Sequence, residues 1–230
     1  DAVMFMHSQR LDRLRSVIDD AQILGRPRRI QSHFSFLADE DFRRSNIRID
    51  SRLEPLGCVG DLGWYNIRFT LWALNWKLPA KVQARTLAQA GQQTGSANVP
   101  TEFTAELYFD DNISAGFYCG FETANQQTLT VSGSHGYVQL DDFVLPFLGD
   151  RNSFESVQSQ FVVKNCQFEM RTREQGFTVL EASNNAVDAQ ETNMVRTFSQ
   201  LVLSEQIDQS WFSIARKTQL VSDACIQSAA

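Results

Sequence analysis

The chain has 230 residues, of which 43% are hydrophobic and 21% are charged. This composition is typical of a folded protein rather than a disordered one, and the length allows one large domain or two small ones. The net charge of −6 argues against a nucleic-acid partner, because phosphate groups would be repelled.

The first residues predict half of a βα unit. Ala2–Met6 are apolar without alternation, which is typical of a strand buried on both faces. An amphipathic helix follows and is ended by Gly25 and Pro27. Its apolar positions are Leu11, Leu14, Val17, Ile18, Ala21 and Leu24. We therefore expect the chain to begin inside a parallel α/β domain whose earlier part precedes Asp1.

A strand, a polar stretch and a second helix come next. Residues 29–36 alternate as a half-buried strand does. The polar residues 39–54 make a long connection and are a candidate substrate loop. Residues from about Gly60 to Asn75 then show the periodicity of a helix.

One face of this helix has an unusual composition. Asp61, Tyr65, Arg68 and Trp72 follow a 4, 3, 4 spacing, which places all four side chains on the same face. A solvated face would carry Lys and Glu, and a core face would carry Leu and Val. We therefore expect this stripe to line a pocket.

From Val82 onward a period of two predicts antiparallel strands. Residues 103–109 and 113–121 form one predicted hairpin, and residues 129–131 and 137–140 form a second. Further strands are predicted at 161–163, 168–170 and 176–180, and two helices at about 189–203 and 211–228. The pattern predicts an α+β fold, with a mostly antiparallel open sheet and helices on one face.

The open face of that sheet needs a cover. Seventeen phenylalanines are many for a protein with one sheet face left in water. We therefore expect the open face to be a subunit interface, most simply that of a homodimer or of a higher homo-oligomer.

Cysteine and histidine usage excludes some classes of site. The four cysteines lie far apart without a CxxC pair, and the three histidines are scattered, so neither a disulfide framework nor a metal site is expected. Reduced, mostly buried thiols fit a cytoplasmic protein. No apolar run approaches the roughly 18 residues that a membrane span requires, so no membrane partner is expected.

The order of these elements, together with the segments 4–10, 60–68 and 215–221, resembles the Gfo/Idh/MocA family of NAD(P)-dependent oxidoreductases, in its dihydrodiol dehydrogenase and glucose-fructose oxidoreductase branch. The resemblance implies a sheet like that of the C-terminal domain of glyceraldehyde-3-phosphate dehydrogenase, preceded by a truncated Rossmann βα unit. It implies three parts: a Rossmann remnant at 1–27, a substrate-binding and oligomerisation domain at 28–207, and a returning helix at 208–230.

The family motif Gly-Gly-Gly-x-x-x-Asp-x-Gly-x-His, with Tyr for His in this branch, matches at Asp61, Gly63 and Tyr65. Of the three leading glycines only Gly57 is present. The resemblance implies hydride transfer between NAD or NADP and a sugar-like or polyhydroxylated small molecule, with Tyr65 as general acid/base. It also places the dinucleotide fingerprint and a catalytic lysine before Asp1, so we expect these 230 residues alone to be inactive.

Charge decides the roles within the stripe. A free phenol titrates near pH 10, and Asp61 would raise that pKa whereas a cation would lower it. Arg68 is within reach on the same face, and the lysine implied by the family would serve better. We therefore expect Asp61 to bind a substrate hydroxyl or to fix that lysine. Without the resemblance, Asp61 could equally be a helix-start acid and Tyr65 a packing residue.

Other candidate site residues are less specific. Predicted substrate contacts are His7, Arg10, Arg48, Trp64 and Arg68, and Gln219 is the predicted cofactor contact. His7 could instead be structural, Arg10 could cap its own helix, and Trp64 could be core. The incomplete glycine triplet leaves a second function open, a non-catalytic module for dimerisation or ligand sensing.

Overall fold

The computed structural model describes residues 2–91, 97–184, 186–204 and 207–230. The chain separates into two compact units. The first unit comprises Asp1–Arg29 and Leu129–Ile207, and the second comprises Ile30–Thr128 and Asp208–Ala230. The three-part division predicted from the sequence stays a prediction.

The second unit combines strands with two long helices. Its strands are β1 (Pro27–Leu37), β2 (Lys81–Ala90), β3 (Val99–Phe109), β4 (Ile113–Gly120) and β5 (Glu122–Gly133). Its helices are α2 (Glu40–Ser45), a π-helical turn (Val59–Gly63) that continues into α3 (Trp64–Ala73), and α5 (Gln209–Ala229). The strand order is β2-β3-β4-β1-β5, and β1 and β5 contribute residues to both units.

The β3–β4 hairpin shows why the period-two pattern folds as predicted. The pair is antiparallel and sets Phe103 opposite Cys119 and Ala105 opposite Phe117, with all four buried. Asp111 lies in the turn with a positive φ of 65°, a conformation that Asp and Asn tolerate better than most residues. The register therefore sends every apolar side chain of the hairpin to one face.

That apolar face is the one covered by helices. The π-helical turn packs on β4, where Gly63 lies against Cys119, and α5 packs on β2 and α3. The opposite face carries polar side chains such as Thr104, Glu106 and Tyr118. In this unit the buried phenylalanines of β3 and β4 thus lie on the helix side, so phenylalanine content gives no support to an interface at the open face, which stays a prediction.

The first unit is built on a long hairpin. Its elements are a 3-10 turn (Met4–His7), α1 (Arg10–Ile18), β6 (Tyr137–Leu140), β7 (Arg151–Lys164), β8 (Gln167–Leu180) and α4 (Gln190–Ser204). The strand order is β5-β6-β7-β8 with antiparallel neighbours. Helix α1 packs on β7 and β8, where Phe154 and Phe177 stack with ring centroids 4.9 Å apart.

The predicted strand at Ala2–Met6 is wrong. Val3 and Phe5 are buried as expected, but the segment forms the 3-10 turn through hydrogen bonds such as that from the Met6 N–H to the Val3 carbonyl. A strand needs a neighbouring strand for its backbone groups, and none of the described strands pairs with this segment.

Three other features of the secondary structure differ from prediction. Helix α1 ends at Ile18 rather than near Leu24, because the Asp20 carboxylate accepts from the Gln22 N–H and favours a turn. The polar stretch 39–54 is not an irregular loop, since it contains α2 and a 3-10 turn at Ile47–Ile49. The two strands predicted at 168–170 and 176–180 are parts of β8.

Two further observations concern thiols and membranes. Cys58, Cys119 and Cys225 are buried free thiols and Cys166 is an exposed one, in line with the expected thiol state. Among the helices of the described residues, none combines the length and the apolar character needed to cross a membrane.

Candidate active site

The helix that carries the polar stripe begins in a tightly packed turn. Gly57 has a positive φ of 54°, and a Cβ there would lie 2.2 Å from the Pro100 carbonyl oxygen, so no other residue fits. The π-helical turn Val59–Gly63 follows, a distortion that often occurs at functional sites. It carries Asp61 and leads directly to Tyr65 at the start of α3.

Asp61 is held by an arginine from the polar stretch. Arg48 Nε lies 2.6 Å from Asp61 Oδ1, with the Asp61 side chain 16% exposed and the Arg48 side chain 40% exposed. Burial raises the pKa of Asp61, and the hydrogen bond and charge of Arg48 oppose that rise. The 3-10 turn thus brings Arg48, a predicted substrate contact, and Asp61, the predicted positioning carboxylate, into one ion pair.

A second carboxylate stands beside this pair and was missed by the sequence analysis. Glu54 Oε1 accepts a hydrogen bond of 3.2 Å from the Leu56 N–H. The carboxylate lies so close to Gly60 that a Cβ there would be 2.2 Å from Oε1. Burial raises the pKa of Glu54, with Asp61 adding to the rise and Arg48 opposing it. Glu54 therefore adds negative charge to the start of the site helix.

Tyr65 is half-buried between these charges and the sheet. Its ring meets Phe34 of β1 edge to face, with centroids 5.6 Å apart. Burial is the main cause that raises the pKa of Tyr65, and Asp61 adds to it, whereas Arg48 and Arg68 act in the opposite direction. The phenol is therefore protonated at neutral pH and can act as a hydrogen-bond or proton donor.

Arg68 lies inside the unit rather than on a pocket wall. Its side chain has no exposed surface, and its Nε donates to Thr218 Oγ1 on α5 over 2.7 Å. Its guanidinium carbon lies 5.6 Å from the ring centroid of Trp64. Burial lowers the pKa of Arg68 to about 10, so it is charged at neutral pH. This placement does not support direct substrate contact by Arg68, because a substrate cannot reach a fully buried group.

The stripe therefore divides into two parts. Asp61 and Tyr65 are partly exposed and lie next to Arg48, as lining residues should be. Arg68 is buried, and Trp72 packs on Phe69 with ring centroids 5.2 Å apart. The ring of the half-buried Trp64 packs against the guanidinium of Arg68, which favours the packing alternative for this tryptophan.

The other two predicted substrate contacts lie in the first unit. His7 is half-buried, its carbonyl accepts from Asn193 Nδ2, and burial lowers its pKa. Arg10 is 2% exposed, forms an ion pair with Asp142 and also donates to the Asp142 carbonyl over 2.8 Å. This geometry matches neither alternative considered for Arg10, since its guanidinium ties α1 to the segment after β6.

Gln219, the predicted cofactor contact, lies on the exposed side of α5. Its Nε2 donates to Asp223 Oδ1 one turn later over 2.7 Å. Such a surface contact can be exchanged for another partner at little cost. Within the described ranges no three His, Cys, Asp or Glu side chains lie close enough to hold a metal ion.

Comparison with known proteins defines the class. A family model described as GFO/IDH/MocA C-terminal domain matches residues 11–139, which is more than half of the chain. The chain belongs to the Gfo/Idh/MocA family, as its motif predicted.

Solved structures of two enzymes share its fold. KijD10, a 3-ketoreductase from Actinomadura kijaniata, solved with NADP and TDP-benzene, matches with a TM-score of 0.74 at 18% identity. That match covers 98% of this chain and 61% of the enzyme. Levoglucosan dehydrogenase, solved with NADH and levoglucosan, matches with a TM-score of 0.69 at 14% identity, over 99% of this chain and 63% of the enzyme. The predicted α+β fold is confirmed, and the chain spans less than two thirds of either enzyme.

Proposed function

We propose that this protein is an oxidoreductase that transfers a hydride between NAD or NADP and a sugar-like or polyhydroxylated carbonyl/alcohol pair, with Tyr65 as general acid/base. The observation that carries the proposal is the placement of Tyr65, which stands at the family's acid/base position and lies four residues after Asp61 of the Asp61–Arg48 ion pair. Two structural relatives add support, because they are a 3-ketoreductase solved with NADP and a levoglucosan dehydrogenase solved with NADH.

The proposed chemistry needs one proton at one oxygen. The nicotinamide, when bound, gives up or accepts the hydride. During reduction negative charge grows on the substrate oxygen, and the Tyr65 hydroxyl donates its proton to it. During oxidation the phenolate of Tyr65 must accept a proton from the substrate hydroxyl. The raised pKa of Tyr65 disfavours that phenolate. Arg48 and Arg68 supply the positive charge within this chain that opposes the rise.

Asp61 is proposed to orient the substrate rather than to remove a proton. Its ion pair with Arg48 favours the ionised form, and an ionised carboxylate can accept further hydrogen bonds from substrate hydroxyls. Arg48 is partly exposed and can donate to a substrate oxygen from the same place.

Cofactor contact from this chain is proposed for Gln219, whose exposed amide can leave Asp223 for a ligand. No two glycines of the 230 residues are separated by a single residue, so the Gly-x-Gly-x-x-Gly fingerprint is not among them. We therefore propose cofactor binding for a full-length protein that matches the length of the enzymes this chain resembles. A cytoplasmic location and a homo-oligomer through the open sheet face complete the proposal.

The test is a cofactor titration with the full-length protein, followed by turnover assays with a panel of sugars and diols. Turnover on a polyhydroxylated substrate with NAD(H) or NADP(H) is the expected result. Tight cofactor binding without turnover on any of them would instead favour a non-catalytic sensing module. The 230 residues alone should bind the cofactor poorly, and tight binding to them would contradict the assignment of the phosphate-binding loop to other residues.

A further inference from the structure

Strand β8 forms a long edge of the sheet. It runs over Gln167–Leu180 and is the last in the order of the described strands, where its one neighbour is β7. The pairing of β8 with β7 is regular along its whole length, without a bulge, and β8 contains no proline. Proteins commonly protect an exposed edge with a bulge, with proline or by keeping the strand short. Because β8 has none of these, its outer backbone groups can pair with another strand.

The outer half of the β7–β8 hairpin has an exposed apolar face. Strand β6 pairs with β7 only as far as Val157, so residues 158–173 form a two-stranded ribbon that no other described strand extends. On one face of this ribbon, two cross-strand pairs have side chains that are 53–75% exposed: Phe161 with Met170 and Val163 with Phe168. A two-stranded ribbon is only marginally stable in water, so a further strand would stabilise this one.

The other face of β8 carries charges in a mirrored order. Glu169 and Arg171 flank Met170, one on each side, and both side chains are about half-exposed. In an antiparallel pair of two β8 strands with Met170 opposite Met170, each Glu169 lies opposite Arg171 of the other copy. Opposite charges directly across a strand pair stabilise it, and like charges destabilise it. The order of charges therefore suits a second copy of the same strand.

Other registers lack this match. Directly opposite residues share a face of the sheet, so two identical antiparallel strands must be centred on one residue. A centre on Thr172 would set Arg171 against Arg173, and centres on Phe168 or Gln175 would bring no opposite charges together. A centre on a charged residue would set that charge against its own copy, which disfavours Glu169, Arg171, Arg173 and Glu174. Within residues 168–175 the charges thus select Met170.

We propose that the outer half of β8 is an interface that pairs edge to edge with β8 of a second copy of this chain, centred on Met170. Residues 167–173 of each copy form the new antiparallel pair, and the two ribbons join into one four-stranded sheet. Their exposed apolar faces then lie side by side. The contact uses an edge rather than the open sheet face, and it does not depend on the proposed hydride transfer.

Two charge variants of the full-length protein test this pairing. Arg171→Glu and Glu169→Arg each break the ion pair within a chain and set like charges opposite each other between two chains. Analytical ultracentrifugation should find each variant alone at half the mass of the wild-type assembly. An equimolar mixture should recover the wild-type mass, because each strand then meets one of opposite charge. The pair within each chain stays broken in the mixture, so recovery reports contact between chains.

A crosslink tests the register. In the Cys166→Ser background, Met170→Cys sets two thiols opposite each other, with Cα atoms about 4.5–5.5 Å apart, which a disulfide spans. Air oxidation with copper phenanthroline should join two chains of this variant. The natural Cys166 is exposed and is the matched control. It lies four residues from the centre in each copy, which separates the two thiols by roughly 27 Å, so the wild type should not crosslink.

Each measurement has a result that would overturn the proposal. Charge variants that keep the wild-type mass would do so, as would a mixture that stays at the mass of its components. A wild-type protein that sediments as a single chain would also exclude the interface. Crosslinking through Cys166 as efficient as through Met170→Cys would exclude the register. None of these experiments needs a substrate or a cofactor, so failure of the proposed oxidoreductase activity would leave their outcome unchanged.

Discussion

Two buried arginines, one in each unit, have partners of opposite kinds. Arg10 of α1 is 2% exposed and pairs with the carboxylate of Asp142, which neutralises it. Arg68 of α3 is fully buried and donates Nε to the neutral hydroxyl of Thr218. The Thr218 hydroxyl is an acceptor without a charge, so the loss of this contact and the loss of the Asp142 carboxylate should differ in their cost.

The largest expected effect breaks the neutralised pair. Asp142→Asn leaves the Arg10 guanidinium buried without its counter-charge, so the free energy of unfolding should fall by about 3–5 kcal/mol. Urea denaturation measures it, with Asp150→Asn as control because Asp150 is exposed. A loss no larger than that of the control would show that Arg10 does not depend on Asp142.

A smaller effect is expected at the other arginine. Thr218→Val removes one neutral acceptor and leaves the Arg68 Nε–H unsatisfied, which should cost about 1–3 kcal/mol in the free energy of unfolding. Thr218→Ser should recover most of that loss in the same denaturation experiment. If serine destabilised the protein as much as valine, the methyl group of Thr218 would be the stabilising feature and the contrast between the two arginines would not hold.

The smallest effect concerns Glu54. It tests whether this carboxylate adds a negative charge beside Asp61 at the start of the site helix. The pKa of Glu54 is raised above 4.5 in the folded protein, so between its unfolded and folded values the native state binds more protons than the unfolded chain. The contribution of Glu54 to stability must then fall as pH rises through that window. Wild-type stability, relative to Glu54→Gln, should therefore decline above about pH 4.5.

Glu155→Gln, at an exposed position of β7, is the control for that measurement. Gly60→Ala should have the same consequence as Glu54→Gln by another route, because its methyl group would lie 2.2 Å from Glu54 Oε1 and displace the carboxylate. A stability difference that does not change with pH in either variant would exclude Glu54 as a charge of the site.

The site was predictable where its residues share one helix. The spacing of four from Asp61 to Tyr65 is visible in the sequence, because successive turns of a helix place such side chains on one face. The same pattern wrongly placed Arg68 on that face, since its side chain is fully buried. The ion pair of Arg48 with Asp61 was not predicted, since it depends on a 3-10 turn inside a stretch expected to be irregular. Thr218 lies 150 residues from Arg68, and no local pattern relates the two.

The fold, too, was predictable only where neighbouring residues in the sequence determine it. Alternation predicted the β3–β4 hairpin, because the register of one strand on the next follows from which residues are apolar. The prediction at Ala2–Met6 failed because an apolar run predicts only burial, which is correct for Val3 and Phe5. The run does not tell whether another strand will lie beside it. Local pattern therefore gave elements and faces, and long-range partners had to come from the structure.

Tyr65→Phe in the full-length protein tests most directly whether the charges around Tyr65 serve proton transfer. Removing the hydroxyl should lower kcat by about 10²–10⁴-fold, since this hydroxyl is the proposed proton donor, while the Kd of the cofactor stays at its wild-type value. Tyr108→Phe, at an exposed tyrosine of β3, should leave kcat unchanged. A Tyr65→Phe enzyme that turns over within a few-fold of wild type would contradict the assignment of Tyr65 as the general acid/base.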